Sequence, residues 1–397
     1  MDIYKEALML HEHLRGKIKI TSKFDVRTKE DLSLVYSPGV AEPCREIAKH
    51  PNKVWDYTIK SNTVAIVTDG SAVLGLGNIG PHAAIPVMEG KAMLFKKFAA
   101  IDAFPICLDT QDVDEIVRTV KNIAPVFGGI NLEDISAPRS FEIEARLQDI
   151  GIPVFHDDQH GTAIVVLAAL LNASKVTGKT LTELKIVING AGAAGIAIAK
   201  LLLCIDHSND KHCVPVKEII LCDSKGIIHK DRNDLNEEKK NTLWYSNPNN
   251  KTGTVYDALK GADVFIGVSV GDLLTADHIS TMAKDSIVFA LANPTPEIMP
   301  EEAYKGGAAI VGTGRSDLPN QINNVLGFPG IFRGALDSKS KTISPAMKIA
   351  AAHAIAKCTG DPSPEMIIPS SLNEAVGYRV AEAVYKAAMK EKGKTPT

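Results

Sequence analysis

The glycine pattern around residue 190 constrains the fold of this 397-residue chain more than any other feature. The segment "LKIVINGAGAAGIAIAKLLL" (184–203) opens with a β-branched run that predicts a buried strand, and its alanine-rich end predicts a helix. Gly190, Gly192 and Gly195 stand between them in G-x-G-x-x-G spacing. A strand, a glycine turn and a helix in this order are typical of a doubly wound α/β domain whose turn binds the pyrophosphate of a dinucleotide. The alternative is a tight turn with a purely structural role.

The next predicted strand supports the dinucleotide interpretation. "VKEIILCDSKG" (216–226) ends in Asp223, where a carboxylate can accept hydrogen bonds from the adenosine ribose. A carboxylate disfavours the 2′-phosphate of NADP, whereas Lys225 could neutralise that phosphate, so the sequence leaves the choice between NAD and NADP open. Ala193 and Ala194, which begin the predicted helix, complete the expected contacts with the pyrophosphate.

The first half of the chain predicts a second α/β region. Strand-like and helix-like stretches alternate there, which favours a mainly parallel sheet. The predicted strands cover residues 63–68, 103–109, 127–134 and 152–158, and the predicted helices cover 90–101, 113–124 and 140–151. A short opening helix is expected at residues 2–15.

Acidic residues follow these predicted strands, at the edge where open α/β sheets bind ligands. They are Asp69, Asp109, Glu133, Asp134, Asp157 and Asp158. The last two lie in "HDDQHGTA", directly before the apolar run "IVVLAALL". Because buried carboxylates are costly unless they are paired or bound to a cation, this stretch indicates a metal site or an ion pair. Helix-capping acids are the alternative for "LED" alone.

Composition excludes several classes of protein. A net charge of −3 provides no basic surface for nucleic acid. The longest apolar run, residues 163–171, is too short to span a bilayer, and the charged N-terminus lacks the apolar core of a signal peptide, so we expect a cytoplasmic protein without a membrane partner. The six cysteines form no C-x-x-C pair and are expected to be reduced thiols.

Several long motifs in one order closely resemble those of malic enzyme in its short microbial form. They are "VYSPGVAEPC" (35–44), "TDGSAVLGLGNIG" (68–80), "PVMEGKAMLF" (86–95), "NLEDISAP" (131–138), "FHDDQHGTA" (155–163), "INGAGAAG" (188–195), "FALANPTPE" (289–297) and "GRSDLPNQINNVLGFPGIFRGALD" (314–337). The resemblance covers nearly the whole chain except the final helices and a polar insertion at 229–254, which is expected to be a solvated loop or a helix-loop insertion.

The resemblance implies divalent-metal- and NAD(P)-dependent oxidative decarboxylation of (S)-malate to pyruvate and CO₂. By position, Glu133, Asp134 and Asp158 would hold Mg²⁺ or Mn²⁺, both of which prefer oxygen ligands. Lys91, in a neutral state, would act as the base and Tyr36 as the acid, with Asp157 setting the charge state of Lys91. Asn293 and Asn324 would contact substrate, with Asn293 and Thr162 also near the cofactor.

The chain departs from the larger malic enzymes where it reads "DGSAVLGLG", because Ala72 replaces an arginine that binds the malate carboxylate. Ser71 or backbone N–H groups are the expected substitutes. The resemblance also implies a homodimer or higher oligomer, in which Tyr36 could reach the site of the partner subunit.

The expected organisation is an N-terminal metal-binding α/β domain (1–159), a Rossmann NAD(P)-binding domain (160–335) and C-terminal helices (336–397) that pack back on both. Two other functions remain open on the sequence. One is a metal-independent dehydrogenase of the amino-acid or methylene-tetrahydrofolate type, which shares the two-domain plan. The other is a non-catalytic dinucleotide sensor.

Overall fold

The computed structural model describes residues 3–73, 75–205 and 212–393. The chain begins with four helices: α1 (Ile3–Leu14), α2 (Lys29–Val35), α3 (Ala41–Lys49) and α4 (Val54–Tyr57). The predicted opening helix is confirmed by α1, but none of the first three helices buries a residue. Their apolar side chains therefore remain exposed, and Leu34, for example, keeps 68% of its surface accessible.

A four-stranded parallel sheet forms the first α/β region. Its strands are β1 (Thr63–Thr68), β2 (Asp102–Cys107), β3 (Gly129–Leu132) and β4 (Val154–His156), in the order β2-β1-β3-β4. Helices α5 (Gly80–Ala99), α6 (Val113–Ile123) and α7 (Arg139–Leu147) connect them. The helix expected at residues 90–101 starts ten residues earlier, at Gly80, because Pro81 lies in its first turn, where the missing N–H costs nothing.

The second sheet has the predicted doubly wound form. Helix α8 (Thr162–Thr177) leads into strands in the order β10-β9-β8-β5-β6-β7. These are β5 (Lys185–Asn189), β6 (Glu218–Asp223), β7 (Gly226–Ile227), β8 (Val264–Gly267), β9 (Ser286–Ala290) and β10 (Ala308–Thr313). All pair in parallel except β7, which turns back antiparallel on β6 and was not predicted. The strand order reverses at β5, the position at which such sheets bind dinucleotides.

Short helices connect these strands and longer ones end the chain. The connecting helices are α9 (Ala193–Leu202), α10 (Glu237–Thr242), α11 (Val255–Leu259), α12 (Ala276–Ser280) and α13 (Pro300–Lys305). The last three are α14 (Phe328–Asp337), α15 (Pro345–Lys357) and α16 (Glu374–Glu391). The largest apolar core runs from Val64 of β1 through α8 to Ile188 of β5 and Phe289 of β9, and it includes α14, α15 and α16. Each sheet also has a separate apolar cluster of its own, with α6 and α7 on the first sheet and α11 and α12 on the second.

Two sequence expectations are corrected here. Cys204 and Cys213 form a disulfide, whereas all six cysteines were expected to be reduced; their Cα atoms lie 5.8 Å apart despite a separation of nine residues, a proximity that no spacing rule reveals. Cys44, Cys107, Cys222 and Cys358 are free thiols, as expected. The polar insertion at 229–254 is not simply solvated, since its Ser246 and Asn247 are buried.

Among the described residues, one helical stretch, Asp157–Thr177, is long and apolar enough to meet the criteria for a membrane span. It contains α8, and 67% of its apolar window is buried inside the protein. This burial is the pattern of a core helix.

Candidate active site

Four carboxylates meet at the carboxyl edge of the first sheet. Glu133 and Asp134 follow β3, and Asp157 and Asp158 follow its parallel neighbour β4. Because parallel strands end at the same edge, the two acidic pairs face each other as the sequence predicts. We refer to these four residues as the acid cluster. Lys91, from the middle of α5, is 7% exposed and reaches into it.

Three members of the acid cluster are arranged as metal ligands would be. One carboxylate oxygen from each of Glu133, Asp134 and Asp158 lies within 4.8 Å of the others. Asp134 adopts a left-handed backbone conformation (φ +53°), which is costly for a residue with a side chain, and its N–H donates to Asp158 Oδ2 at 2.8 Å. Its own Oδ2 is buried without a hydrogen-bond partner among the described residues. A buried oxygen in this state fits a cation ligand.

Lys91 is held by Asp157 and by Glu133, one of the three candidate metal ligands. Its ammonium donates to Asp157 Oδ2 and, at 2.8 Å, to Glu133 Oε1. Asn324, which follows β10 of the second sheet, donates from Nδ2 to Asp157 Oδ2 at 2.5 Å. The carboxyl edges of both sheets therefore meet at Asp157, and the sequence-predicted Lys91, Asp157 and Asn324 form one hydrogen-bonded group.

The acid cluster has more carboxyl groups than positive charges, and this deficit of positive charge favours the protonated form of the acids. Burial, together with the neighbouring Asp158 and Glu133, raises the pKa of Asp134 to about 9, and burial likewise raises the pKa of Glu133 and Asp158. Burial also opposes the charge of Lys91, but Asp157 and Glu133 outweigh it and raise the Lys91 pKa. The two acids therefore favour the ammonium form of Lys91, and the neutral state expected from the resemblance stays a prediction for the site with its cation. Four carboxyls share one ammonium, and a divalent cation would offset most of the remaining negative charge.

The raised pKa of the buried acids predicts how the stability of the fold depends on pH. An acid whose pKa is raised on folding binds more protons in the native state between its unfolded and folded pKa values, so stability falls as pH rises through that window. For Asp134 the window runs from its ordinary pKa of 3.8 to about 9. In EDTA we therefore expect the melting temperature to fall by at least about 2 °C between about pH 5 and about pH 9, and the fall should be smaller in Mn²⁺. The Asp134→Asn variant should reduce the fall in EDTA, and a melting temperature in EDTA that rises over this range would contradict the assignment.

The residues expected to replace the missing arginine are already engaged. Ser71 Oγ donates to Asp69 Oδ1 at 2.5 Å and accepts from the Ser136 N–H at 2.9 Å. The Ala72 N–H donates to the Asp134 carbonyl. Asp69 is fully buried, and Arg139 Nη1 lies 2.9 Å from its Oδ2. The hydroxyl of Ser71 therefore organises the loop after β1, and contact with a substrate would have to displace one of its bonds.

The glycine turn has the geometry that a dinucleotide site requires. Gly190 has φ +119°, and a Cβ there would lie 2.5 Å from the Val268 carbonyl oxygen. A Cβ on Gly195 would lie 1.8 Å from the Gly190 carbonyl oxygen, so glycine is needed for α9 to approach β5. Gly192, the N-cap of α9, faces open space. Ala193 and Ala194 form the first turn of α9, whose free N–H groups can bind phosphate.

The glycine turn and Asp223 line the same groove, which we call the dinucleotide groove and whose volume is about 360 Å³. Both of its carboxylate oxygens accept hydrogen bonds from Arg232, at 2.8 and 3.1 Å, and Lys239 Nζ donates to Oδ2 at 2.7 Å. These cations outweigh the effect of burial and hold the pKa of Asp223 below its usual value. Lys225 pairs with Asp234 instead. Sequence reasoning missed Arg232 and Lys239 because they come from the polar insertion, which carries no recognisable motif.

The other predicted site residues lie as follows. Asn293 is half-buried just beyond β9, and its Nδ2 donates to the Leu291 carbonyl at 3.3 Å. Thr162 is half-buried at the start of α8. Tyr36 is not brought to the acid cluster: it caps α2 and is 69% exposed. Within the described residues, no hydrogen bond joins its hydroxyl to the cluster.

Comparisons with known proteins match both halves of this site. Residues 15–148 match the family described as malic enzyme, N-terminal domain, and residues 159–389 match malic enzyme, NAD binding domain. The bifunctional malic/malolactic enzyme of Bacillus subtilis is 57% identical over 98% of this chain and 94% of its own length. The NAD-dependent malic enzyme of Geobacillus stearothermophilus is 56% identical over 95% of this chain and 77% of its own length.

Solved structures of malic enzymes superpose on this chain along most of its length. The NAD-dependent malic enzyme of Thermotoga maritima superposes with a TM-score of 0.91 at 50% identity, covering 96% of this chain and 98% of that one. The malic enzyme of Pyrococcus horikoshii gives a TM-score of 0.92 at 49% identity, covering 100% and 93%. Matches along almost the whole length, together with the two sites described above, show that this chain belongs to the malic enzyme family.

Proposed function

We propose that the protein catalyses the NAD(P)-dependent oxidative decarboxylation of (S)-malate to pyruvate and CO₂. The observation that carries this proposal is the position of Lys91, buried between Glu133 and Asp157, beside three metal-ligand-like carboxylates and tied through Asn324 to the dinucleotide-binding sheet. Relatives named NAD-dependent and NADP-dependent malic enzymes support the same reaction.

We propose further that Glu133, Asp134 and Asp158 hold Mg²⁺ or Mn²⁺. Their donor set consists only of oxygens, and the orphaned Asp134 Oδ2 and the raised pKa values both fit a cation. When bound, the ion would acidify the malate hydroxyl and stabilise negative charge during decarboxylation, while NAD(P)⁺ accepts the hydride.

The residues of the chain handle the protons. Neutralisation of the acid cluster would remove the charges that hold Lys91 protonated, so that its Nζ could take the proton from the C2 hydroxyl as hydride leaves C2. Asp157 Oδ2 keeps that Nζ in place by accepting a hydrogen bond from it, and Asn324 Nδ2 holds the same oxygen by donating to it. The resulting ketone loses its β-carboxylate as CO₂, and Tyr36 donates a proton to C3 of enolpyruvate. Asn293 and Asn324 would each use the second N–H of the side-chain amide to bind the substrate carboxylate.

Tyr36 can perform this role only if another subunit brings it to the site. The first three helices bury nothing within their own subunit, and their exposed apolar side chains fit a second copy of the chain. We therefore propose a homodimer in which Tyr36 enters the active site of the partner subunit.

A complementation experiment tests this arrangement. Tyr36→Phe and Lys91→Ala homodimers should each be nearly inactive, but random subunit exchange between equal amounts should restore about a quarter of the wild-type activity, since only sites with both native residues work. If Tyr36 acts within its own subunit, the mixture stays inactive, and that result would refute the shared site. Wild-type protein mixed with buffer-treated wild-type protein controls for losses during exchange.

For the cofactor we propose a preference for NAD with residual use of NADP. The Asp223 carboxylate disfavours a 2′-phosphate, but Arg232 and Lys239 offset much of its charge. Asp223→Ser should shift the ratio of kcat/KM values towards NADP by about tenfold, or ~1.4 kcal/mol. Asp231→Ser, an exposed acid in the same insertion, is the control. A ratio unchanged by Asp223→Ser would remove Asp223 from cofactor selection.

The central experiment follows absorbance at 340 nm with malate and either nucleotide, in Mn²⁺ or in EDTA. Reduction of the nucleotide that requires Mn²⁺ and yields pyruvate is the expected result. Undiminished activity in EDTA would favour the metal-independent dehydrogenase. Binding of NADH without turnover of malate would favour the dinucleotide sensor.

A further inference from the structure

Glu144 is a buried carboxylate that the proposed reaction does not use. It lies on α7, opposite the turn that follows β4, and is 9% exposed. Its carboxylate accepts a hydrogen bond from the His156 backbone N–H at 3.1 Å, a second from Gln159 Nε2 at 3.3 Å and a third from His160 Nε2 at 3.0 Å. All three donors belong to a single segment, residues 156–160.

That segment carries two members of the acid cluster. Asp157 and Asp158 stand between the first and second donors, in a wide turn of π-helical type that spans Asp157–Gly161. Such turns are rare and occur mainly at functional sites. A Cβ on Gly161 would lie 1.8 Å from Asp157 Oδ1, so the turn is also packed tightly against its own acid. Glu144 therefore holds the His156 backbone N–H on one side of Asp157 and Asp158 and the side chains of Gln159 and His160 on the other.

Burying the Glu144 carboxylate costs free energy, which indicates that its hydrogen bonds to the turn have a specific role. A buried carboxylate is destabilising unless its oxygens are satisfied, and an apolar side chain would fill the same space more cheaply. The three hydrogen bonds described above all lead to the turn. They order the segment that presents Asp158 to the cation and Asp157 to Lys91.

We propose that Glu144 is a positioning residue that sets the metal affinity of this site by holding the turn at residues 157–161. The inference rests on the proposed function, because it assumes that Asp158 is a metal ligand. Outer-shell partners of metal ligands usually change affinity by about 10- to 100-fold when they are removed. Glu144 acts one step further out, on the backbone and side chains next to the ligand.

The experiment compares Glu144→Leu and Glu144→Gln with Glu142→Gln. Glu142 lies on the same helix but pairs at the surface with Arg146, so it is a matched control. The dissociation constant for Mn²⁺ is measured from the electron paramagnetic resonance signal of free Mn²⁺, together with KM for Mn²⁺, kcat and the melting temperature. NADH binding, followed by fluorescence, reports on the dinucleotide groove.

We expect Glu144→Leu to weaken Mn²⁺ binding by about 10- to 100-fold and to raise KM for Mn²⁺, with NADH binding unchanged. Glu144→Gln should be intermediate, because an amide oxygen can still accept from the turn. Wild-type Mn²⁺ affinity in a folded Glu144→Leu variant would overturn the proposal. If that variant does not fold, wild-type affinity in Glu144→Gln overturns it instead. A wild-type protein that neither binds Mn²⁺ nor oxidises malate would refute the proposed function itself, which is a distinguishable result.

Discussion

Lys91→Ala should lower kcat for malate oxidation by about 10²- to 10⁴-fold, the usual contribution of a general base. The substitution removes the only ammonium that contacts Asp157 and Glu133 among the described residues. Because it also removes positive charge beside the carboxylates, Mn²⁺ should bind as tightly as to the wild type or more tightly. Steady-state absorbance at 340 nm measures the first effect, and titration with Mn²⁺ measures the second.

The combination of slow turnover with intact metal binding is what separates a base from a structural ion pair. Lys96→Ala, on the same helix but paired with Asp102 at the surface, should retain wild-type kcat. A Lys91→Ala enzyme with the wild-type rate would remove Lys91 from the reaction. Loss of both turnover and Mn²⁺ binding would assign it a structural role.

Asp158→Ala should abolish metal-dependent turnover, with a fall in kcat/KM of about 10³-fold or more, because both the cation and the charge it supplies are lost. The fold should survive. In EDTA the melting temperature should equal or exceed that of the wild type, since burial raises the pKa of Asp158 and its removal relieves one buried acid.

Asp109→Ala provides the comparison for this variant. Asp109 is also an acid beyond a strand of the first sheet, but it is exposed and stands outside the acid cluster, so its replacement should leave Mn²⁺ binding and kcat unchanged. Malate oxidation at the wild-type rate by Asp158→Ala would exclude this carboxylate as a metal ligand.

The sequence predicted the parts of the protein that follow from local chemistry. Gly190 and Gly195 are required by backbone geometry within a few residues, so their spacing alone indicated the strand, the turn and the helix. The sequence also predicted that the acids after β3 and β4 lie close together, because neighbouring parallel strands end at one edge of the sheet. Both expectations are confirmed as geometry, and the catalytic roles remain predictions.

The contacts that escaped prediction join segments far apart in the chain. Arg232 reaches Asp223 from an insertion without a motif, and Glu144 reaches the turn after β4 from a helix whose pattern predicts only an amphipathic surface. The charge state of Lys91 likewise depends on acids 42 and 66 residues away. Such effects depend on tertiary packing, which periodicity does not encode.

The apolar core that extends from β1 to β9 has a consequence for how the protein unfolds. Helix α8 contributes apolar side chains to a cluster that includes residues of both sheets, so unfolding of either half would expose apolar surface of the other to water. We expect a single cooperative thermal transition, and polypeptides separated near residue 159 should aggregate or remain unfolded when expressed alone. Heat inactivation would then release metal and nucleotide together.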